Sequence, residues 1–144
     1  MVPGMTLDTH TLARDFGLVV DTTGGVPALE AVGDGPMTIL NLFALVEEAS
    51  YDDGTTCPGI EAMLRYSAVS GERLAAVGGA FVAQALPTGA VWGHDEEWDI
   101  LVVATYPSVQ AFWSLLADPI YGQAFVHRRA AVARQRVTVG MTLA

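Results

Sequence analysis

Three adjacent side chains near the C-terminal end are of types that move protons or bind anions: His127, Arg128 and Arg129. Histidine titrates near neutral pH, so His127 is a candidate for shuttling a proton to a bound small molecule. At helical spacing it shares a stripe with alanines, which leaves room for its imidazole to point into a cavity. The alternative is a half-buried histidine that is hydrogen-bonded to the backbone or to an acid.

The two arginines are about 100° apart around a helix, so we do not expect both to reach one ligand. Arg128 is the candidate for stabilising a ligand carboxylate or enolate. Cations in the last part of a helix also complement its dipole. The alternative for either arginine is therefore a structural role, and the acidic segment 95–99 offers a salt-bridge partner.

Polar residues in predicted strands are further candidates. Asn41 lies in an otherwise apolar strand and shares a face with Phe43. A buried amide must be hydrogen-bonded, so Asn41 bonds either a ligand or a neighbouring loop. Gln84 poses the same question in a later strand. We assign four residues as ligand contacts: Phe43, Tyr66, Gln84 and Trp98. For Tyr66 and Trp98 the alternative is ordinary packing.

Other common kinds of site find little support. Asp99 stands among acids whose crowding would raise its pKa, although a solvated loop acid is the simpler interpretation. Cys57 is the only cysteine and has no base near it in sequence. The chain contains no HxH or HxxxH ligand pair, no G-x-G-x-x-G fingerprint and no G-x-S-x-G elbow. We therefore expect no metal and no cofactor.

The charge balance argues against polyanionic partners. The formal net charge is −9, and all seven cations are arginines. A phosphate-binding surface needs a basic stripe, whereas here the acids cluster. We expect neither nucleic acid nor an anionic membrane as a partner. The absence of lysine also removes Schiff-base chemistry.

Length and composition indicate one globular domain. The chain has 144 residues, of which 51% are hydrophobic. No apolar run reaches the length of a membrane span, and the N-terminus lacks the layout of a signal peptide, so we expect a cytoplasmic protein. Residues 1–36 predict an N-terminal arm and linker with a short helix at 9–16, and the compact domain is expected at 37–144.

The pattern of residues 37–144 predicts an α+β, ferredoxin-like β-α-β-β-α-β fold with an antiparallel sheet and its helices on one face. The predicted strands are 37–46, 80–86, a short one at 90–93, 98–106 and 137–143, and the predicted helices are 60–77, 108–117 and 119–134. The strands are apolar on both faces, so both faces must be covered. A second copy of the sheet is the simplest cover, which predicts a homodimer.

Several segments together resemble the family known as domain of unknown function 1330. They are PMTILNLFALVEEASYDDG, GIEAMLRY, EEWD, YPSVQAFWSLLADPIY and HRRAA, spread over roughly residues 36–137. That family resembles the dimeric α/β-barrel superfamily, in which two ferredoxin-like sheets face each other. The resemblance implies the fold and the dimer, and no particular reaction. Two positions depart from the pattern, since Met63 replaces an expected tyrosine and Arg129 adds a second arginine.

The sequence leaves three functions open. The first is binding of a small, largely apolar organic molecule, with possible cofactor-independent turnover of the monooxygenase, isomerase or cyclase type by His127, Asn41 and Arg128; this rests on analogy of fold. The second is haem binding or degradation, since haem-degrading members of the superfamily resemble this chain in the elements that carry Asn41, Trp98 and His127. The third is a non-catalytic dimeric accessory or binding protein.

Overall fold

The computed structural model describes residues 7–18 and 24–143. Its helices are α1 (Thr9–Asp15), α2 (Val26–Glu30), α3 (Gly59–Ala76), α4 (Val109–Ala117) and α5 (Pro119–Ala131), and its strands are β1 (Met37–Leu45), β2 (Glu48–Ser50), β3 (Thr56–Pro58), β4 (Ala80–Ala85), β5 (Ile100–Tyr106) and β6 (Val132–Met141). The main sheet has the order β4-β5-β1-β6, and every neighbouring pair is antiparallel. The predicted ferredoxin-like α+β fold is confirmed. In the two described ranges, no helix is long and apolar enough to cross a membrane.

The alternation of side chains along β1 distinguishes the two faces of the sheet. Met37, Ile39 and Phe43 are buried on one face. The guanidinium of Arg128, from α5, lies 4.7 Å from the centroid of the Phe43 ring, so this is the face that the helices cover. On the opposite face, Leu40 keeps 36% of its surface exposed. The helices therefore cover one face of an isolated protomer.

Helices α1, α4 and α5 each begin after a residue whose type predicts a helix cap: Asp8, Ser108 and Asp118. Asp8 and Ser108 each accept a hydrogen bond from the backbone N–H three residues later, both at 3.1 Å. Asp118 accepts one from the N–H of Ile120 at 2.9 Å. Gly78 follows α3 with a φ of +83°, the left-handed conformation that a glycine reaches without steric cost. Local sequence signals thus determine where these helices begin and end. Helices α3, α4 and α5 in turn line the cavity described below.

Two boundaries predicted near the C-terminus are wrong. Helix α5 ends at Ala131 rather than near residue 134, and β6 begins at Val132 rather than at 137. Val132 has an extended backbone and pairs with Leu45 at the far end of β1. The length of β6 is therefore set by pairing with β1, a long-range constraint that the local sequence of residues 132–136 does not reveal.

The short strand predicted at residues 90–93 is not formed. Val91 and Trp92 are 85% and 91% exposed, so neither side of the segment packs against the domain. Gly93 has a φ of +82°, and the Asp95 carboxylate accepts a hydrogen bond from the backbone N–H of Ala90 at 3.0 Å. These features fold the segment into a loop.

Two regions predicted as irregular contain short elements. The segment between β1 and α3 forms the β2–β3 hairpin, in which Ala49 and Cys57 are paired and buried. The N-terminal segment contains α2 in addition to the predicted α1. Ala13 and Leu29, one from each of these helices, are buried in the hydrophobic core. The described part of the N-terminal segment therefore packs on the domain.

A salt bridge ties α3 to the start of α5. The Nε atom of Arg73 lies 2.6 Å from Oδ2 of Asp118, and only 26% and 13% of the two side chains are exposed. Burial tends to raise the pKa of the Asp118 carboxyl, but hydrogen bonds from Arg73 and from the N–H of Ile120 outweigh it and hold the pKa below 3.8. A carboxyl with a lowered folded-state pKa contributes stability above its unfolded-state pKa, and this stability is lost as the pH falls through the folded-state value.

We expect Asp118→Asn to lower the free energy of unfolding at pH 7 by about 1–3 kcal/mol, because Arg73 then keeps a half-buried charge without its partner. Urea unfolding measures this cost. The cost should shrink in acid, as the pH falls below 3.8 and through the lowered pKa of Asp118. Asp52→Asn, at an exposed loop acid, is the control and should change stability little. An equal cost for Asp118→Asn at pH 7 and at strongly acidic pH would contradict the assigned role of the ion pair.

Candidate functional site

A cavity of about 1200 Å³ lies between the helices and the sheet face that they cover. Most of its lining is apolar and comes from the four strands of the main sheet and from α3, α4 and α5, with contributions from residues 16–18 and 24–25. A few polar side chains interrupt this lining, among them Asn41, Tyr66, Gln84, Arg128 and Gln135. A concave apolar site with few polar groups is the usual form of a small-molecule pocket.

The structure brings together most of the site residues predicted from the sequence. Five of them line the cavity: Asn41, Phe43, Tyr66, Gln84 and Arg128. The other two, His127 and Trp98, are not part of its lining. Adjacent residues on a helix point in different directions, which explains why Arg128 faces the cavity and His127 does not.

Two arginines line the cavity: Arg136 is exposed and pairs with Glu96, whereas the guanidinium of Arg128 is enclosed by aromatic rings. Its carbon Cζ lies 4.7 Å from the ring centroid of Phe43, 5.0 Å from that of Phe125 and 5.7 Å from that of Tyr66. Nη1 donates a long hydrogen bond of 3.4 Å to the Tyr66 hydroxyl, and Nη2 donates one of 3.1 Å to Oε1 of Gln135. Nε is buried and has no hydrogen-bond partner among the described residues.

Two tyrosine hydroxyls form a second polar feature of the cavity. The hydroxyls of Tyr66 and Tyr121 are 2.7 Å apart, and both residues are buried. Burial raises the pKa of Tyr121, and it also raises the pKa of Tyr106, which lines the cavity as well. The phenols of Tyr106 and Tyr121 therefore stay protonated near neutral pH and act as neutral hydrogen-bonding groups beside Arg128.

Two of the cavity amides, Asn41 on β1 and Gln84 on β4, lie in one row across the sheet, with Val102 of β5 between them. Nδ2 of Asn41 donates to the backbone carbonyl of Val102 at 3.2 Å, so its partner is the adjacent strand rather than a loop. A bulge between Phe81 and Ala83 shifts the register of β4 and places Gln84 opposite Val102. Directly opposed residues share a face, so Gln84 also points to the cavity side.

His127 belongs to a different cluster. Its Nδ1 lies 2.7 Å from the hydroxyl of Tyr51, and the two rings meet edge to face with centroids 5.5 Å apart. Nη1 of Arg65 donates to the same hydroxyl at 3.4 Å, while Arg65 also pairs with Glu61 at 3.4 Å, as its spacing suggests. Tyr51 could not be selected from the sequence, because 76 residues separate it from His127 and no local pattern connects them.

Trp98 lies beneath two arginines at the end of the sheet. The guanidinium carbons of Arg134 and Arg136 are 4.2 Å and 6.0 Å from the centroid of a Trp98 ring. The same two arginines pair with Glu96, at 3.7 Å and 3.0 Å. The acidic segment 95–99 therefore pairs with these arginines, and the alternative that Arg128 or Arg129 pairs with it is wrong.

The hydrogen bonds of Arg129 and Asp99 indicate that both side chains stabilise the fold. Arg129 donates to the backbone carbonyl of Asp15 in the N-terminal segment. Oδ2 of Asp99 accepts a hydrogen bond of 2.7 Å from the backbone N–H of Leu45 and so ties β1 to the start of β5. The three residues considered for haem lie in different surroundings: Asn41 in the cavity, Trp98 under the arginines and His127 on Tyr51. Of the three, only Asn41 lines the cavity. Among the described residues, no group of three or more His, Cys, Asp or Glu side chains is placed to hold a metal ion.

Gln135 and Tyr121 are cavity residues that the sequence analysis did not assign as ligand contacts. Gln135 fell between the helix predicted at 119–134 and the strand predicted at 137–143, and it reaches Arg128 because β6 starts earlier than predicted. Tyr121 stands at a helix start, where a packing role explains its type equally well. Neither residue carries a local signal that distinguishes a binding role.

Comparisons with known proteins place the chain in a family. The model of the family described as domain of unknown function (DUF1330) matches residues 56–141. RPA0582 from Rhodopseudomonas palustris, a protein of unknown function, is 38% identical in its crystal structure; the match covers 87% of this chain and 97% of that one, with a TM-score of 0.73. The methylated RPA0582 protein gives 37% identity, 88% and 96% coverage and a TM-score of 0.75.

A more distant structure shares the fold alone. SnoaB, a cofactor-independent oxygenase from Streptomyces nogalater, is 16% identical; the match covers 76% of this chain and 95% of that chain, with a TM-score of 0.50. A comparison with curated proteins found no match.

The hydrogen bond between Tyr51 and His127 should be energetically coupled. We expect Tyr51→Phe to lower the free energy of unfolding by about 1 kcal/mol, because it leaves a half-buried imidazole nitrogen without its partner. In a His127→Ala background the same substitution should cost less, and urea unfolding of the four proteins gives the coupling energy. Equal costs in both backgrounds would show that the contact does not stabilise the fold.

Proposed function

The chain belongs to the family of the domain of unknown function DUF1330, and we propose that it is a homodimeric protein that binds a small, mainly apolar organic molecule in the cavity beneath α3. The observation that carries this proposal is the cavity itself. It combines a volume of about 1200 Å³, a mainly apolar lining and a small set of polar side chains. Packed domains leave few voids of this size, and those that exist usually serve a ligand.

The polar side chains have distinct roles in this proposal. Asn41 is held by the Val102 carbonyl and anchors a polar group of the ligand. Arg128 stabilises negative charge on it, and Gln84 contacts it from β4. Phe43 and Tyr66 contribute aromatic surface next to the guanidinium. His127 and Trp98 are outside the proposed site.

We further propose that the protein converts the bound molecule without a cofactor. A guanidinium in an apolar cavity stabilises a developing oxyanion more strongly than it would in water. SnoaB, which shares the fold, is described as a cofactor-independent oxygenase, so the fold accommodates such chemistry in that protein. A protein that binds the ligand without converting it is the non-catalytic alternative, and assays for turnover of the bound molecule distinguish the two.

The homodimer is proposed from the sheet face that the helices leave uncovered. In the register of β1 and β5, Leu40 is opposite Val103 and Leu42 is opposite Leu101, which gives an apolar patch on that face. These side chains remain partly exposed in the protomer. A second copy of the same face would bury them around a two-fold axis.

The cavity predicts binding of a neutral apolar probe. N-phenyl-1-naphthylamine becomes strongly fluorescent in apolar surroundings, so titration with it measures binding directly. Ser67 and Ala68 are neighbours on α3, and only Ser67 lines the cavity. We expect Ser67→Trp to weaken probe binding at least about tenfold, equivalent to ~1.4 kcal/mol, because the indole occupies cavity volume. Ala68→Trp, the matched control, should bind as the unaltered protein does. No binding to the unaltered protein, or equal loss in both variants, would refute the cavity as the binding site.

The dimer prediction has its own pair of variants. Val103→Asp places a charge on the uncovered sheet face, whereas Val126→Asp places one on the exposed side of α5. Sedimentation velocity should show a dimer for the unaltered protein and for Val126→Asp. Val103→Asp should be a folded monomer by circular dichroism, because a carboxylate cannot be buried unpaired at an interface. A monomeric unaltered protein, or a dimeric Val103→Asp variant, would contradict this interface.

A further inference from the structure

We propose that the ligand of this cavity is an apolar, aromatic carboxylic acid whose carboxylate binds the guanidinium of Arg128. This inference rests on the proposed binding function and specifies the chemical class of the ligand. It depends on three observations: the unused donors of Arg128, the neutrality of its surroundings and the aromatic character of the adjacent lining.

The hydrogen-bonding capacity of Arg128 is only partly used. A guanidinium carries five N–H donors in a planar fork. Arg128 forms two hydrogen bonds to side chains in the described part of the chain, and one of them is the long contact to Tyr66. Nε is buried without a partner there. Because a buried donor without an acceptor costs free energy, the site indicates a missing acceptor.

The charge of Arg128 is not balanced by its observed neighbours. Tyr66 and Gln135, its two hydrogen-bond partners, are a phenol and an amide. The ion pairs of the described residues involve Arg14, Arg65, Arg73, Arg134 and Arg136, and none involves Arg128. A buried cation without a counter-charge is strongly destabilising, so an anion is the partner that the site favours.

The geometry favours a carboxylate with an aromatic body. A planar carboxylate matches the fork of a guanidinium in a bidentate arrangement. The rings of Phe43, Phe125 and Tyr66 enclose the guanidinium, and those of Tyr106 and Tyr121 line the same cavity. Aromatic surfaces of this kind pack against aromatic ligands in edge-to-face or offset arrangements. The Tyr66–Tyr121 hydroxyl pair adds neutral donors close to the charged group.

An isosteric pair of probes tests the inference. 2-Naphthoate and 2-naphthamide have the same apolar body, but the first carries a carboxylate and the second a neutral carboxamide. By isothermal titration calorimetry at neutral pH, we expect the unaltered protein to bind 2-naphthoate about 10–100-fold more tightly than 2-naphthamide, the range that a charge-assisted hydrogen bond provides.

Two arginine variants locate the origin of that preference. Arg128→Met keeps much of the apolar length of the side chain but removes the charge, and we expect it to abolish or reverse the preference while 2-naphthamide still binds. Arg128→Lys should retain a reduced preference, because it keeps the charge without the planar fork. Arg14→Met removes the same charge from a side chain that is 77% exposed and should leave the preference intact.

The outcomes separate this inference from the proposed function. If 2-naphthamide and N-phenyl-1-naphthylamine bind but 2-naphthoate binds no more tightly than the amide, the carboxylate inference fails and the cavity function stands. If a preference for 2-naphthoate survives in Arg128→Met, the carboxylate does not bind this arginine and the inference is overturned. If none of the three probes binds the unaltered protein, the proposed function fails as well.

Discussion

The pairing of β1 with strands on both of its edges is the constraint on which the other features depend. In this register Asn41 lies opposite Val102 on one side and opposite Val137 on the other, and the bulge in β4 adds Gln84 to the same row. The row faces the helices. The next residue along β1, Leu42, faces the uncovered side. A shift of one residue would exchange the two faces, so a single register sets both the composition of the cavity and the apolar surface proposed for the dimer.

The cavity is defined by one buried charge in mainly apolar surroundings. Arg128 contributes a cation where the low local dielectric strengthens any interaction with an anion and makes an unpaired charge costly. The rings of Phe43 and Phe125 and the amide of Gln135 hold the guanidinium in place without neutralising it. Burial keeps the nearby phenols of Tyr106 and Tyr121 protonated by raising their pKa values, so they do not compensate the charge near neutral pH. We therefore assign recognition of the ligand's charge to Arg128 and general affinity to the apolar lining.

The features that the sequence predicted correctly are those that local chemistry determines. Asp8, Ser108 and Asp118 cap helices because short polar side chains reach nearby N–H groups, and the glycine at 78 ends a helix through its conformational freedom. A polar residue in an apolar strand was sufficient to select Asn41, although not to identify its hydrogen-bond partner. Arg128 was selected from its type and its place on a helix; it lines the cavity, and its role in binding stays a prediction.

The features that the sequence did not predict depend on contacts between distant residues. His127 was expected to face the cavity, but the choice between adjacent helical positions is made by packing, and Tyr51 from the β2 region holds the imidazole elsewhere. Gln135 joins the site because β6 extends to match β1. The position of Gln84 depends on a bulge that no alternation pattern reveals. The lining of a cavity is thus less predictable than the elements that surround it.

The most direct test of the central claim is native mass spectrometry of protein purified from its own host, compared with a spectrum under denaturing conditions. We expect a dimer that carries a discrete additional mass, released on denaturation and identified by fragmentation as an apolar, aromatic carboxylic acid. A monomer with no added mass would contradict both the dimer proposed at the uncovered sheet face and the occupied cavity.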